Sequence, residues 1–227
     1  MKAVLIPGDG IGKEISQSVV DITKAMNLDI EWIEYQAGAE YAAKTKEVFE
    51  PGLVDAIKEY KWALKGPTAT PIGTGFRSVN VALRQKFATY ANVRPIRSFK
   101  GIDSKYENID LVMIRENTED LYKGIEYMVG EDVAHGIKLI TREASEKICR
   151  YAFEYAKANG YDAVTTTLLY SIYQNHDFIK EYMEKLSEEF GIEFLYRDFR
   201  VGFREGQNKA RELGLYMQKY CGCIFSE

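Results

Sequence analysis

At 227 residues, 46% apolar and 28% charged, the chain has the make-up of one large globular domain or two small ones, and its core needs no disulfide or metal staple. A net charge of −4 weighs against a general nucleic-acid or membrane-surface binder. No apolar run reaches transmembrane length, the opening Met-Lys-Ala-Val reads as strand rather than signal peptide, and three cysteines fit a reducing cytoplasm.

Ala3 to Ile6 is a short apolar run that predicts a buried strand. It runs into Pro7-Gly8-Asp9-Gly10-Ile11-Gly12. A glycine turn before a helix can bind phosphate through exposed N–H groups, but the G-x-G-x-G spacing lacks the dinucleotide fingerprint, and a tight turn without ligand reads equally well. Ile15, Val19, Ile22 and Met26 recur at helical spacing as an apolar face. A strand over 30–35, a helix through Leu53, Ile57 and Tyr60, and a strand at 62–65 follow. This alternation predicts an α/β fold with a layered, mainly parallel sheet.

Gly66-Pro67 and Thr70-Pro71-Ile72-Gly73-Thr74-Gly75 predict a loop, after which Ser78 opens a helix bearing Asn80, Val81, Leu83, Arg84 and Phe87. Arg84 and Arg94 flank the segment Phe87-Ala88-Thr89-Tyr90. Guanidinium groups grip carboxylates bidentately, and Ser and Asn add neutral hydrogen bonds, so the stretch has the donors to hold a small polycarboxylate. Ordinary solvated surface arginines explain the same residues.

Strands are predicted at 93–99 and 111–114, the second leading into Arg115-Glu116-Asn117-Thr118-Glu119-Asp120-Leu121-Tyr122, which by itself reads as a strand end with an acidic helix start. Segments 125–129 and 136–141 form a β arm. Residues 143–160 form a helix stopped by Gly160, with Cys149 in its packed face. Beyond it, the pattern predicts a strand at 163–169, a helix at about 176–190, a strand at 192–197 and a helix at about 203–217. His135 and His176 read as surface or turn residues. Cys221 and Cys223 read as a C-x-C pair, either free thiols or two of the four ligands an iron–sulfur cluster takes.

Gly8-Asp9-Gly10-Ile11-Gly12 with Glu14, Ser78-x-Asn80-x-x-x-Arg84 and the run Arg115-Glu-Asn-Thr-Glu-x-x-Tyr122 resemble the isocitrate/isopropylmalate dehydrogenase family, over residues 1–160. Ser78 and Asn80 resemble the isocitrate branch, since isopropylmalate enzymes carry apolar residues there. The resemblance implies an oxidoreductase that oxidatively decarboxylates a 2-hydroxy polycarboxylate such as isocitrate, with NAD and Mg²⁺ or Mn²⁺. It implies substrate binding by Ser78, Asn80, Arg84, Arg94 and Arg115, proton donation by Tyr122, cofactor contacts at Ile11 and Thr70, and a homodimer joined through the 125–141 arm. The family's base lysine and metal aspartates are not found after Gly160, which implies a site without its catalytic half.

Thr165-Thr-Thr-Leu-Leu, Tyr173-Gln-Asn-His, Phe194-Leu-Tyr-Arg-Asp-Phe-Arg and Gly214-Leu-Tyr-Met-Gln-Lys-Tyr-Cys-Gly-Cys are similar to the C-terminal part of the QueH family of epoxyqueuosine reductases. That resemblance implies a chimera with a dehydrogenase-like part at 1–160 and a second part at 161–227. On this reading Cys221 and Cys223 would be iron–sulfur ligands and tRNA the partner, although the paired cysteines of that family's N-terminal region are missing. A third expectation is a non-catalytic α/β domain that binds a carboxylate at most.

Overall fold

The apolar run at the N-terminus becomes the centre of a parallel sheet. The computed structural model describes residues 1–69 and 78–217, and the chain divides into two units, Met1–Thr89 and Tyr90–Glu227. The first holds β1 (Lys2–Ile6), α1 (Gly12–Ala25), β2 (Glu31–Glu34), α2 (Ala39–Thr45), α3 (Leu53–Tyr60), β3 (Ala63–Lys65) and α4 (Val79–Phe87). Its strands pair in parallel in the order β2-β1-β3, in the register Val4 to Ile33 and to Ala63. Val4 and Ile6 are fully buried and pack with Ala37, Leu53, Ala56 and Val79. Each large aliphatic side chain so buried stabilises the unit by about 1.5–3 kcal/mol.

Two details depart from the sequence pattern. The residues that recur at helical spacing line an open face of α1: Ile15, Val19, Ile22 and Met26 are 47%, 36%, 58% and 62% exposed. Gly12, Ser16 and Val20 turn inward instead, because compact residues at every fourth position let the helix lie close to its neighbours. Helix α2 carries no strong apolar period and is legible mainly from Gly38, its N-cap, and Glu40 in its first turn.

The second unit holds β4 (Ala91–Arg97), β5 (Asp110–Glu116), β6 (Asp120–Val129), β7 (Val133–Leu139), α5 (Arg142–Asn159), β8 (Ala163–Val164), α6 (His176–Phe190), β9 (Glu193–Phe194) and α7 (Phe203–Glu212). β4 pairs antiparallel with β5, β6 antiparallel with β7, and β8 parallel with β9. Thr141 caps α5 through its hydroxyl, which accepts from the Ala144 amide at 3.2 Å, and Asn175 caps α6 the same way. The strand expected at 163–169 lasts only through Val164: Thr167–Tyr170 coils into a 3-10 turn that drives Leu169 into the core. The expected strand at 192–197 shortens to Glu193–Phe194, and the last helix ends at Glu212.

Phe153 of α5 packs with Leu169, Met183, Leu186 and Phe194, flanked by Cys149, so residues on both sides of Gly160 share one core. Burial raises the Cys149 thiol pKa, with Glu146 adding to it, as expected of a packing cysteine. His176 is also a core residue, only 4% exposed, with Nε2 lying 3.0 Å from the Tyr196 hydroxyl, which corrects its reading as a surface residue. His135 is exposed, 3.3 Å from the Tyr127 hydroxyl. No helix among the described residues is long and apolar enough to cross a membrane.

Candidate carboxylate-binding site

The glycine turn is built around Asp9. Its carboxylate accepts hydrogen bonds from the amides of Ala39 (3.0 Å), Glu40 (2.9 Å) and Ala69 (2.7 Å), tying β1 to the start of α2 and to the loop after β3. Partial burial pushes the Asp9 pKa up, but these three amides and the Lys13 ammonium outweigh it, and the group titrates below the usual carboxylate range. Gly8 has φ +78, and a Cβ there would overlap the Pro67 carbonyl. A Cβ at Gly38, φ +118, would overlap the Asp9 carboxylate. Within the turn the Asp9 amide donates to Pro67, the Gly12 amide to the Asp9 carbonyl and the Gly10 amide to Glu40. With these amides satisfied and two carboxylates beside them, the turn is a packed corner and not a phosphate cradle. Of the two expected cofactor contacts, Ile11 is 70% exposed at the start of α1 and Thr70 lies outside the described residues, as do Cys221 and Cys223.

Ser78, Asn80 and Arg84 all stand at α4. Ser78 is its N-cap in extended backbone conformation, with no capping bond from its hydroxyl. Asn80 and Arg84, one helical turn apart, line a groove of about 530 Å³ with Lys58, Lys61 and Lys65 over an apolar floor that includes Ile57, Leu83 and Phe87. Desolvation lowers the Lys65 pKa and the nearby Arg84 charge adds to that, while its Nζ donates to the Gly66 carbonyl at 2.6 Å.

In the second unit, register does what sequence spacing could not show. Arg115 pairs with Asn92, and Arg94 pairs with Met113, so Asn92, Arg94, Met113 and Arg115 share one face of the β4–β5 ribbon. Such diagonal neighbours lie roughly 7–8 Å apart at the backbone, a span that two carboxylates of one small molecule can bridge. Arg94 Nε donates to Asn92 Oδ1 at 3.2 Å, and the Arg115 guanidinium lies 5.4 Å from the centre of the Tyr122 ring. Neither arginine forms an ion pair among the described residues, whereas Arg97 is held by Asp110, Arg150 by Glu189 and Arg200 by Asp198. Asn92 is the member of this face that sequence reading missed. Only the strand register brings it next to Arg115.

The acidic residues of the Arg115–Tyr122 motif are structural. Glu116 accepts from the Thr118 amide and hydroxyl at 2.8 and 2.6 Å and from the Glu119 amide at 2.9 Å. Burial raises its pKa, but these bonds prevail and hold it below the ordinary value. Glu119 accepts from the Thr141 amide and hydroxyl, both at 2.7 Å, locking the turn to the cap of α5. The expected helix start is therefore a β5–β6 turn, with Tyr122 on β6. No group of three His, Cys, Asp or Glu side chains among the described residues is placed to hold a metal ion.

The chain is thus an α/β protein with a packed glycine corner in its first unit and, in its second, a ribbon that carries two arginines without an ion pair among the described residues. The sequence model of the isocitrate/isopropylmalate dehydrogenase family matches residues 2–200, and the chain belongs to that family. It is 52% identical over 155 residues to isocitrate dehydrogenase (NAD) subunit 2, mitochondrial, of Saccharomyces cerevisiae, covering 68% of this chain and 42% of that protein. It is 42% identical over 193 residues to the chloroplastic 3-isopropylmalate dehydrogenase of Solanum tuberosum, covering 83% and 54%. The crystal structure of isocitrate dehydrogenase from Methylococcus capsulatus superposes with a TM-score of 0.74 at 38% identity, over 85% of this chain and 59% of that one. The chain thus spans about half the length of the relatives it matches. The family match continues through Gly160 to residue 200, past the limit drawn from the motifs, and the reductase resemblance finds no counterpart among these relatives.

Proposed function

We propose that this chain binds a small polycarboxylate of the isocitrate type through Arg94 and Arg115, with Tyr122 beside Arg115, and does not by itself oxidise it. The observation that carries the reading is the pair of guanidinium groups on one face of the β4–β5 ribbon with no carboxylate partner among the described residues. A cation left without an internal counter-ion at an exposed face is available to an anionic ligand, and two of them at this spacing favour a ligand with two carboxylates over one. The sequence Ser78-x-Asn80 resembles the isocitrate branch of the family, and on that likeness the ligand is of the isocitrate type. Several relatives are named NAD isocitrate dehydrogenase subunits, and on that likeness NAD is the cofactor of the parent chemistry. The base lysine expected from the family resemblance is absent from the sequence, and the described residues offer no ligand set for its metal. The exposed apolar residues of the β6–β7 arm, Tyr127, Met128, Val129 and Val133, suit a homodimer formed through that arm.

The test pairs a thermal-shift titration with a cofactor-reduction assay. Isocitrate at millimolar concentration is expected to raise the melting temperature, because a ligand selective for the native state stabilises it by mass action. NAD with isocitrate and Mn²⁺ is expected to give no reduction. Absence of any shift would refute the binding reading, and metal-dependent NADH formation by pure protein would refute the inactivity.

A further inference from the structure

The sequence holds one Asn-Gly pair, Asn159-Gly160, and the fold places it where α5 stops. Gly160 caps the helix in the left-handed conformation, φ +71, which a residue with a Cβ adopts only at a cost, so the helix end calls for glycine. A Cβ added there would meet nothing within 4 Å, so the peptide stands open to solvent. Asn159 is exposed as well, and its Nδ2 donates to the Tyr155 carbonyl at 2.9 Å. The amides of Gly160 and Tyr161 both donate to the Ala156 carbonyl. Asp9-Gly10, a pair open to the same ring closure in the first unit, is held differently. Both Asp9 oxygens accept from amides of other segments, and the Gly10 amide donates to Glu40.

We propose that Asn159 is a site of spontaneous amide loss, with water as the only co-reactant and the end of α5 as its gate. Asparagine is a thermolabile residue, and a following glycine puts no side chain in the way of ring closure. The Gly160 nitrogen attacks Asn159 Cγ, the Cγ–Nδ2 bond breaks, and ammonia leaves with the Gly160 amide proton. Water then opens the cyclic imide at one of its two carbonyls, leaving an aspartyl or isoaspartyl residue at position 159. In the closed helix end the Gly160 proton is committed to Ala156 and the Asn159 side chain to Tyr155, so the reaction runs through opening of the last turn. Helix ends open at low cost, far more often than the whole fold. The product sets a full negative charge among the carbonyls at the negative end of the helix dipole and removes the Nδ2 donor. Because α5 carries Phe153 into the core with Leu169, Met183, Leu186 and Phe194, the change weakens the second unit. The same fold that locks Asp9-Gly10 keeps that pair intact.

The experiment incubates the full chain in mildly alkaline buffer, with and without denaturing urea, and follows the amide-to-acid mass change by peptide mapping. Position 159 is expected to react before any other asparagine in both conditions, at least about tenfold more slowly in the folded chain because the turn must open first. Asn159→Gln, at an exposed helical site, should stay folded and unmodified there. Phe153→Leu loosens the core behind the helix end, and should raise the rate in buffer toward the rate in urea while leaving the rate in urea unchanged. Asn159→Asp, which carries the product's charge from the start, should lower the melting temperature by about 2 °C or more, and the aged wild-type chain should match it. Another asparagine reacting first in the folded chain, equal wild-type rates in buffer and in urea, a rate in buffer indifferent to Phe153→Leu, or an Asn159→Asp chain that melts no lower than wild type would each overturn the proposal. None of these readouts involves Arg94 or Arg115, so the carboxylate-binding reading stands or falls separately.

Discussion

Asp9 in the first unit and the Arg94–Arg115 pair in the second are charged groups with opposite fates. Asp9 has its partners inside the protein: three backbone amides drawn from α2 and the loop after β3. Arg94 and Arg115 have a neutral amide and an aromatic ring for company, and no carboxylate among the described residues. A buried or half-buried charge with every hydrogen-bonding position filled is structural, and removing it loosens the fold. A charge left without a counter-ion on an exposed strand face contributes little to the fold and is free for a ligand. The motif that looks most catalytic in sequence, Arg115 to Tyr122, mixes the two kinds. Glu116 and Glu119 are consumed by the turn, while Arg115 forms no ion pair among the described residues.

The largest effect should come from the corner that Asp9 organises. Gly8→Ala places a methyl group against the Pro67 carbonyl at a positive φ, and should cost about 3 kcal/mol or more, read as a lower urea midpoint. Asp9→Asn should cost about 2 kcal/mol, since it replaces a charge-assisted acceptor of three amides by a weaker one. The same substitution tests the sign of the pH dependence. Because the folded-state pKa of Asp9 is lowered, its contribution is complete above the ordinary carboxylate value and disappears as pH falls through the lowered one. Urea midpoints measured from about pH 6 to about pH 3 should therefore fall less steeply for Asp9→Asn than for wild type. Tyr196→Phe removes the partner of the buried His176 Nε2 and should cost about 1–2 kcal/mol in the second unit. Arg94→Gln and Arg115→Gln should each change stability by less than about 0.5 kcal/mol, which is what an uncommitted charge predicts.

The sequence made helices easy to find and their surroundings hard. Residues 176–190 read as a helix and form α6 over that same range, because Asn175 caps it and Gly191 ends it in the left-handed conformation. The parallel strands β1, β2 and β3 were legible from apolar runs bounded by turns. Periodicity reports that a helix has an apolar face, not that anything covers it: Ile15, Val19, Ile22 and Met26 keep helical spacing in α1 and are exposed. The role of Asp9 depends on bonds to residues 30, 31 and 60 positions away, and local pattern carries no trace of them. His176 followed the same rule: its burial depends on Tyr196, twenty residues on. The site arginines were found through family likeness. Their shared face needed the β4–β5 register, which also brought in Asn92.

The most direct measurement is a calorimetric titration of isocitrate into the wild-type chain and into Arg94→Gln, Arg115→Gln and Arg97→Gln. Arg97 lies on the same strand as Arg94 but is already held by Asp110 at 3.0 Å, which makes it the control. Saturable binding by wild type, weakened at least about tenfold by Arg94→Gln and by Arg115→Gln and left unchanged by Arg97→Gln, is the predicted result. Equal losses at all three arginines, or binding that survives both of the first two substitutions, would contradict the claim that unpaired arginines mark the ligand site.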